Sequence, residues 1–425
     1  VRWSDGVELK AEDFVYSWRR LLSPETAASY AYFLFDVEGA EDFYKGRITD
    51  FSQVGIRALD PGTLQVRLVK PVSYWISIPT FWVTFPLRED VVRRHGADWE
   101  RPGKMVTLGA FTLVDYRIDS RIVLEANPAY HGQRGDIRRA EGLIVKDDST
   151  AMTLYETGKF DFLTDLSSLD LKRMAGNPEL KAFPYLKTAY LGFVIRAPGV
   201  ADPRVRRAIA MAIDKSRIAG ILYGGQRAAT SWVPPGVLGH SEALGLPYDP
   251  VAARRELRAA GVRPPLRLEL LTPSRDRNLV LSQFLQSELK KNLGIELEIQ
   301  AFDNKTFRSQ VALKRSPLYL LSWSGDYPDP DNFVSVFTGD SGNNRTGWAD
   351  AAYDGAVTRG RSLAEPRERE KVYFAAQKLL LEGQAVIVPL FYEPNMALVR
   401  SRVEGLELNP LNYLLLRQVR LRVAP

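Results

Sequence analysis

Residues 318–333 read LYLLSWSGDYPDPDNF, and no single regular element can run through them. Leu318, Tyr319, Leu320 and Leu321 form an apolar run of the kind that makes a buried strand. Pro328 and Pro330 lack the N–H that a helix interior or a central strand needs, so the strand must end before them. The exit carries Trp323 and Asp326, and the loop adds Asp329 and Asp331. A strand end that delivers an indole and a carboxylate into a loop is where α/β proteins place ligands. Trp323 and Asp326 are therefore the first candidates for a binding site.

The rest of the chain must build a frame for that loop. Its 425 residues exceed what one core serves, so two or three domains are expected. Apolar residues at 45% and charged residues at 25% are ordinary globular values, which excludes wholesale disorder. The 57 basic and 51 acidic side chains are interspersed without a long block of one sign, so the net charge of +6 predicts a solvated surface and no nucleic-acid groove. With no cysteine there is neither a disulfide framework nor a thiolate metal site or nucleophile. His95, His131 and His240 stand far apart in unrelated contexts, so no metal site is expected. No apolar run is long enough to cross a bilayer as a helix. The opening VRWSDG shows neither an initiator methionine nor an export signal, and the expectation is a chain that starts inside a domain.

Along the chain, Phe14, Val15, Trp18, Leu21 and Leu22 share one helical face, with Lys10 at the cap position predicting a frayed first turn. Residues 63–69 alternate as a strand, and Pro86 is a candidate boundary. From Gly109 two strands are expected around a turn at 118–120. Strand 143–146, helix 150–157 and strand 160–164 follow and point to a mixed α/β domain with a largely parallel sheet. Residues 190–195 form another apolar strand. Asp202-Pro203 opens the best-signalled helix, expected to run to Gly224-Gly225 with Arg204, Arg206, Arg207, Lys215 and Arg217 on a solvated face. Helix 278–292, strand 295–299, helix 302–313, helix 367–381, strand 385–392 and an alternating tail at 415–423 complete the pattern.

The companions of the Trp323 loop strengthen its reading. In order the chain carries WSDG (3–6), AEDFVYSW (11–18), LGAFTL (108–113), RIVLEANPAYHG (121–132), LYETGKFDF (154–162), DPRVRRAIAMAIDK (202–215), WVPPG (232–236), SWSGDYPDPDNF (322–333) and NNRTGW (343–348). This collinear series resembles the extracellular solute-binding proteins that deliver peptides to ABC importers, family 5, and the oligopeptide-binding branch above all. It departs from them in the absent N-terminal portion and in Lys10, where a Thr or Ser cap is usual.

The resemblance implies a type II periplasmic-binding-protein (Venus flytrap) fold of class α/β: two lobes and an extra domain. The extra domain would be residues 1–86, the first lobe 87–186 plus 397–425, and the second lobe 187–396, with crossings near Lys187 and Tyr392. It implies a monomeric, extracytoplasmic bacterial carrier, periplasmic or lipid-anchored. Such a carrier has no catalytic residue and no cofactor; it captures short peptides between its lobes and hands them to a membrane permease. A carrier of many peptides must read what all share, the main chain and the charged ends. Ser322, Trp323 and Ser324 match the family's strand-adding edge, and Asp326 matches the carboxylate that pairs with the peptide α-amine. Tyr190, Asn344 and Tyr392 complete the candidate set, and Lys187, Arg196 and Arg345 are candidates for the peptide carboxylate. Three rivals remain: the same fold with another amine-bearing or chelate cargo, a hydrolase using the loop's aspartates, and a regulatory sensor. A calcium loop at 326–331 fits poorly, because prolines fill the positions between the acids.

Overall fold

The computed structural model describes residues 1–422. The chain divides into two compact units, the first made of Val1–Leu163, Val399–Leu408 and Tyr413–Pro425, the second of Thr164–Leu398 and Asn409–Asn412. Residues 1–86 and 87–163 share the first unit, and the segments that separate the two units meet at 163/164, 398/399, 408/409 and 412/413.

In the first unit, helix α1 (Ala11–Leu22) starts at the expected place. Asp13 takes over the missing cap: its carboxylate accepts the Lys10 backbone N–H at 3.0 Å and the Trp3 indole N–H at 3.2 Å. Strands β1 (Ile56–Asp60) and β2 (Thr63–Val66) form an antiparallel hairpin. Strands β3 (Phe111–Arg117) and β4 (Arg121–Ala126) join through the turn predicted at 118–120, where Asp119 takes a φ of 55°. Strand β5 (Arg139–Leu143) then pairs with β4. This sheet is antiparallel throughout, against the parallel sheet expected from the element order. The short turn forces antiparallel pairing, and helix α2 (Asp148–Glu156), capped by Asp147, leads out of the sheet and not back to it. The tail expected as a strand over 415–423 has a 3-10 turn at Leu416–Gln418 and a two-residue strand at Arg420–Leu421; Val423 lies outside the described residues.

The second unit is built on a mixed six-stranded sheet. Its strands are β7 (Lys187–Phe193), β8 (Arg227–Ala228), β9 (Leu266–Pro273), β10 (Ile295–Phe302), β11 (Leu318–Ser324) and β12 (Ile387–Tyr392), in the spatial order β10-β9-β11-β7-β12-β8. A smaller pairing joins β6 (Leu180–Phe183) to β13 (Asn395–Val399). β9 runs parallel to both β10 and β11, because helix α5 (Asp276–Leu293) returns the chain from β9 to β10, and α6 (Asn304–Ala312) returns it from β10 to β11. β7 and β12 run antiparallel to their neighbours. The exits of β9, β11 and β12 and the entry of β7 therefore collect at one end of the sheet.

Two features of this unit depart from expectation. Helix α3 (Pro203–Met211) ends long before Gly224, because the Asn292 amide donates to Ala212 O at 2.8 Å and Asp214 caps a new turn. Nor are all its basic residues solvated. Arg206 is 2% exposed and donates to the carbonyls of Val200, Ala201 and Gln384. Lys215 donates to Ala229 O, and burial pulls its ammonium down to about 8.

The packing at Gly192 makes a direct prediction. It stands opposite Tyr319 in the β7–β11 register, and a Cβ there would lie 2.2 Å from the phenol ring, which is itself 1% exposed. Gly192→Ala should destabilise the protein by roughly 1–3 kcal/mol in chemical denaturation, since the buried ring must shift to admit the methyl group. An unchanged midpoint would show that the sheet absorbs the methyl group.

Candidate ligand-binding site

The loop that follows β11 separates its three aspartates by partner. Asp329 is gripped by Arg369 of helix α9 (Pro366–Lys378), with Nη1 3.0 Å and Nη2 2.8 Å from the two carboxylate oxygens. Asp331, at the start of the short helix α7 (Asp331–Val334), accepts from Arg361 Nε at 2.7 Å and from the Tyr327 hydroxyl at 3.1 Å. Arg361 comes from helix α8 (Ala351–Ser362). Asp326 differs. Among the described residues no cation pairs with it, and burial pushes its carboxyl up to about 6, with a hydrogen bond from Asn332 pulling the other way.

Asn332 holds the loop's first turn in place. Its Oδ1 accepts the Asp326 backbone N–H at 3.0 Å and the Trp323 indole N–H at 3.2 Å, and the residue is 5% exposed. Trp323 is half-buried, and its indole N–H shares the Asn332 acceptor with the Asp326 backbone. The sequence reading missed Asn332, although a helix-opening asparagine six residues past the carboxylate was visible.

The edge of β11 is open where Ser322 and Ser324 stand. Gly325 N–H donates to Leu186 O at 2.7 Å and Val194 N–H to Pro317 O at 3.0 Å, both continuing the β7–β11 register. Hydrogen-bonded pairs alternate in an antiparallel ladder, so the odd-numbered residues of β11 bond to β7 and the even-numbered ones present their amides to the opposite side. On that side β9 pairs with Leu318 and Tyr319 only. The main-chain groups of Ser322 and Ser324 thus face an unoccupied strand position among the described residues. The Ser324 hydroxyl also meets Tyr185 Oη at 2.9 Å.

The other predicted residues have partners inside the second unit. Tyr190 is 3% exposed and packs edge-on against Trp232, Tyr319 and Phe337, so it is core and not a wall of the open edge. Asn344 staples its own loop. Its amide donates to the carbonyls of Phe337, Thr338 and Trp348, and its Oδ1 accepts from the N–H and hydroxyl of Thr346. The Tyr392 hydroxyl donates to Ser231 O and accepts the Ser231 N–H, both at 3.0 Å. Lys187 directly opposes Ser324 in the register and pairs with Glu393 at 2.6 Å, while Arg277 takes the other Glu393 oxygen at 2.8 Å. Burial alone would raise the Glu393 carboxyl, but Lys187 and Arg277 together hold it below its ordinary range. Arg196 is exposed and Arg345 half-buried.

The unpaired carboxylate has a stability consequence. Because the folded Asp326 titrates near 6 and an ordinary aspartate near 3.8, the native state binds more protons between those values, and stability falls as pH rises through that window. Asp326→Asn should therefore stabilise the empty protein at pH 7 by about 1–2 kcal/mol, after discounting for partial solvent screening, and by almost nothing below pH 4. Urea midpoints at the two pH values check it; equal effects at both would assign the gain to something other than charge.

Known proteins resemble this chain in sequence and in fold. Residues 1–345 match the model described as bacterial extracellular solute-binding proteins, family 5 Middle. A probable deoxycholate-binding periplasmic protein of Escherichia coli K12 is 30% identical over 97% of this chain and 79% of its own length. The periplasmic oligopeptide-binding protein of the same organism is 29% identical over 95% of this chain and 77% of its own. Among solved structures, the Escherichia coli murein tripeptide binding protein superposes with a TM-score of 0.86 at 27% identity, covering 99% of this chain and 85% of that one. The Haemophilus influenzae oligopeptide-binding protein, solved with the peptide RPPGFSPFR, gives 0.83 at 25% identity, over 99% and 85%. The fold is that of these periplasmic binding proteins, and among the described residues no helix is long and apolar enough to cross a membrane. The chain belongs to the bacterial extracellular solute-binding proteins of family 5, the non-enzymatic substrate-binding components of ABC importers.

Proposed function

We propose that this protein captures short peptides for a membrane permease, holding the peptide main chain on the open edge of β11 and its α-amine on Asp326. The observation that carries the reading is the contrast within one loop. Asp329 and Asp331 each have an arginine, whereas Asp326 is largely removed from water with no cation among the described residues. A carboxylate so placed lacks its counter-charge, and a ligand ammonium supplies it. The free amides of Ser322 and Ser324 support the second half of the reading, since strand addition bonds any extended peptide regardless of its side chains.

The relatives leave two cargo chemistries in play, because one of them is described as a probable deoxycholate binder. A bile acid anion carries a carboxylate and no amine, so it would bring a second negative charge towards Asp326. Peptides are the better match. Calorimetric titration with an unblocked tripeptide, its N-acetyl derivative and deoxycholate tests this directly. Binding of the unblocked peptide, with a loss of at least tenfold on acetylation, is expected; deoxycholate binding without peptide binding would overturn the reading.

A further inference from the structure

The net charge of +6 is not spread evenly over the chain. The first unit carries as many acidic as basic side chains, so the whole surplus lies on the second. Much of it gathers where helix α4 (Pro250–Ala259) meets the C-terminal end of α5. Arg254 fixes the meeting point, its Nη1 donating to Asn292 O at 3.2 Å. At about 100° per residue, Val251, Arg254, Arg255 and Arg258 share one side of α4. Glu256 turns instead towards α3, where Arg207 holds it at 2.9 Å. Lys290 and Lys291 are exposed in the last turn of α5. Arg263 is exposed in the loop that brings Pro264 against the end of the same helix: a Cβ on its capping Gly294 would lie 2.9 Å from Pro264 Cβ.

These cations surround one helix end, and the acids near them are engaged elsewhere. Glu256 pairs with Arg207, Glu288 with Arg217 and Glu296 with Arg267, while Asp249 caps α4 by accepting the Val251 and Ala252 N–H groups. Among the described residues no carboxylate pairs with Arg255, Arg258, Arg263, Lys290 or Lys291. Helix dipoles do not account for the surplus: a helix C-terminus carries about half a negative charge, so those of α4 and α5 together offset roughly one cation. Two uncharged side chains stand beside the cations. Val251 is 67% exposed, and Tyr248 is 42% exposed with its hydroxyl accepting from the Asn292 amide at 3.4 Å. Cations flanked by an exposed aromatic and an exposed aliphatic side chain suit an anionic lipid surface, where phosphates take the charged donors and the apolar groups enter the boundary with the acyl chains. We propose that this face of the second unit docks on anionic phospholipid headgroups and so keeps the carrier at the membrane that holds its permease. The proposal does not depend on which cargo is carried, because none of these residues belongs to the candidate ligand site.

Sedimentation of the whole protein with lipid vesicles tests it. Binding is expected to vesicles of phosphatidylcholine mixed with phosphatidylglycerol and not to phosphatidylcholine alone. It should disappear between about 0.1 M and about 1 M salt, as the screening length falls from about 10 Å to about 3 Å. Each cation near such a surface strengthens binding about five-fold, so a variant combining Arg255→Glu, Arg258→Glu and Arg263→Glu should bind at least about a hundred-fold more weakly. A control combining Lys305→Glu, Arg308→Glu and Arg315→Glu changes the net charge equally. Those residues lie on or just after α6, which right-handed crossovers place on the opposite face of the sheet from α5, so the control should bind as the parent does. Both variants should keep the parent's urea midpoint, since all six side chains are exposed. Absence of binding to the mixed vesicles, or an equal loss in the two variants, would overturn the proposal. Capture of soluble poly-glutamate without vesicle binding would give the face to an acidic protein surface and overturn it as well.

Discussion

Asp326→Asn is expected to weaken binding of a peptide with a free α-amine by two orders of magnitude or more, corresponding to roughly 3–5 kcal/mol for breaking a desolvated ion pair. N-acetylated peptides should bind the variant and the parent about equally, because neither retains the pair. The pH profile follows from the two charged groups. Affinity should fall below about 6, where Asp326 takes up a proton in the empty protein, and again above about 8, where a peptide amine loses its own. The asparagine variant should lose the acidic limb. Titrations of both proteins across that range check the prediction, and an unchanged profile in the variant would remove Asp326 from the site. The same substitution is expected to stabilise the empty protein at neutral pH, so a loss of binding could not be attributed to unfolding.

Arg369→Met should be among the most damaging single changes in the second unit. Arg369 is 6% exposed and Asp329 8%, and besides the two-pronged contact its Nε donates to Gly360 O at 3.0 Å. Removing the guanidinium leaves a buried carboxylate with no cation, which costs roughly 3–5 kcal/mol. Adding Asp329→Asn in the same chain should recover part of that loss, because the stranded charge goes with it. The unfolding midpoint in urea reports both effects. Peptide affinity should drop as well, since the Asp329 clamp holds the loop that positions Asp326 and Trp323. A single variant as stable as the parent would mean that the loop finds water for Asp329, and the clamp would lose its assigned role.

The strand end and loop that carry the candidate site were legible because their signals are local. The apolar run that becomes β11, the prolines that stop it and the aspartate between them lie within sixteen consecutive residues. The start of α3 was equally clear, since Asp202 caps it by accepting the Arg204 N–H at 2.7 Å and Pro203 takes the first helical position. Where a local signal misled, a distant partner had intervened. Asn292, far along the chain, ends α3 early, and Arg206 is buried by carbonyls that composition cannot place. The strand at Tyr190 was recognised, but its apolar run did not say that the phenol would face Trp232 and not a ligand.

The sequence by itself determined which segments alternate, where prolines and caps end them, and that an unusual carboxylate follows a tryptophan, because those properties depend on residues a few positions apart. Tertiary structure alone decided which aspartates would be neutralised and which amides would stay free. Arg369 reaches Asp329, Arg361 reaches Asp331, Glu393 occupies Lys187, and β9 leaves β11 after Tyr319. Charge pairing and strand pairing act through space between groups remote in the chain, so what singles out Asp326 is the set of partners that the fold gave to its neighbours.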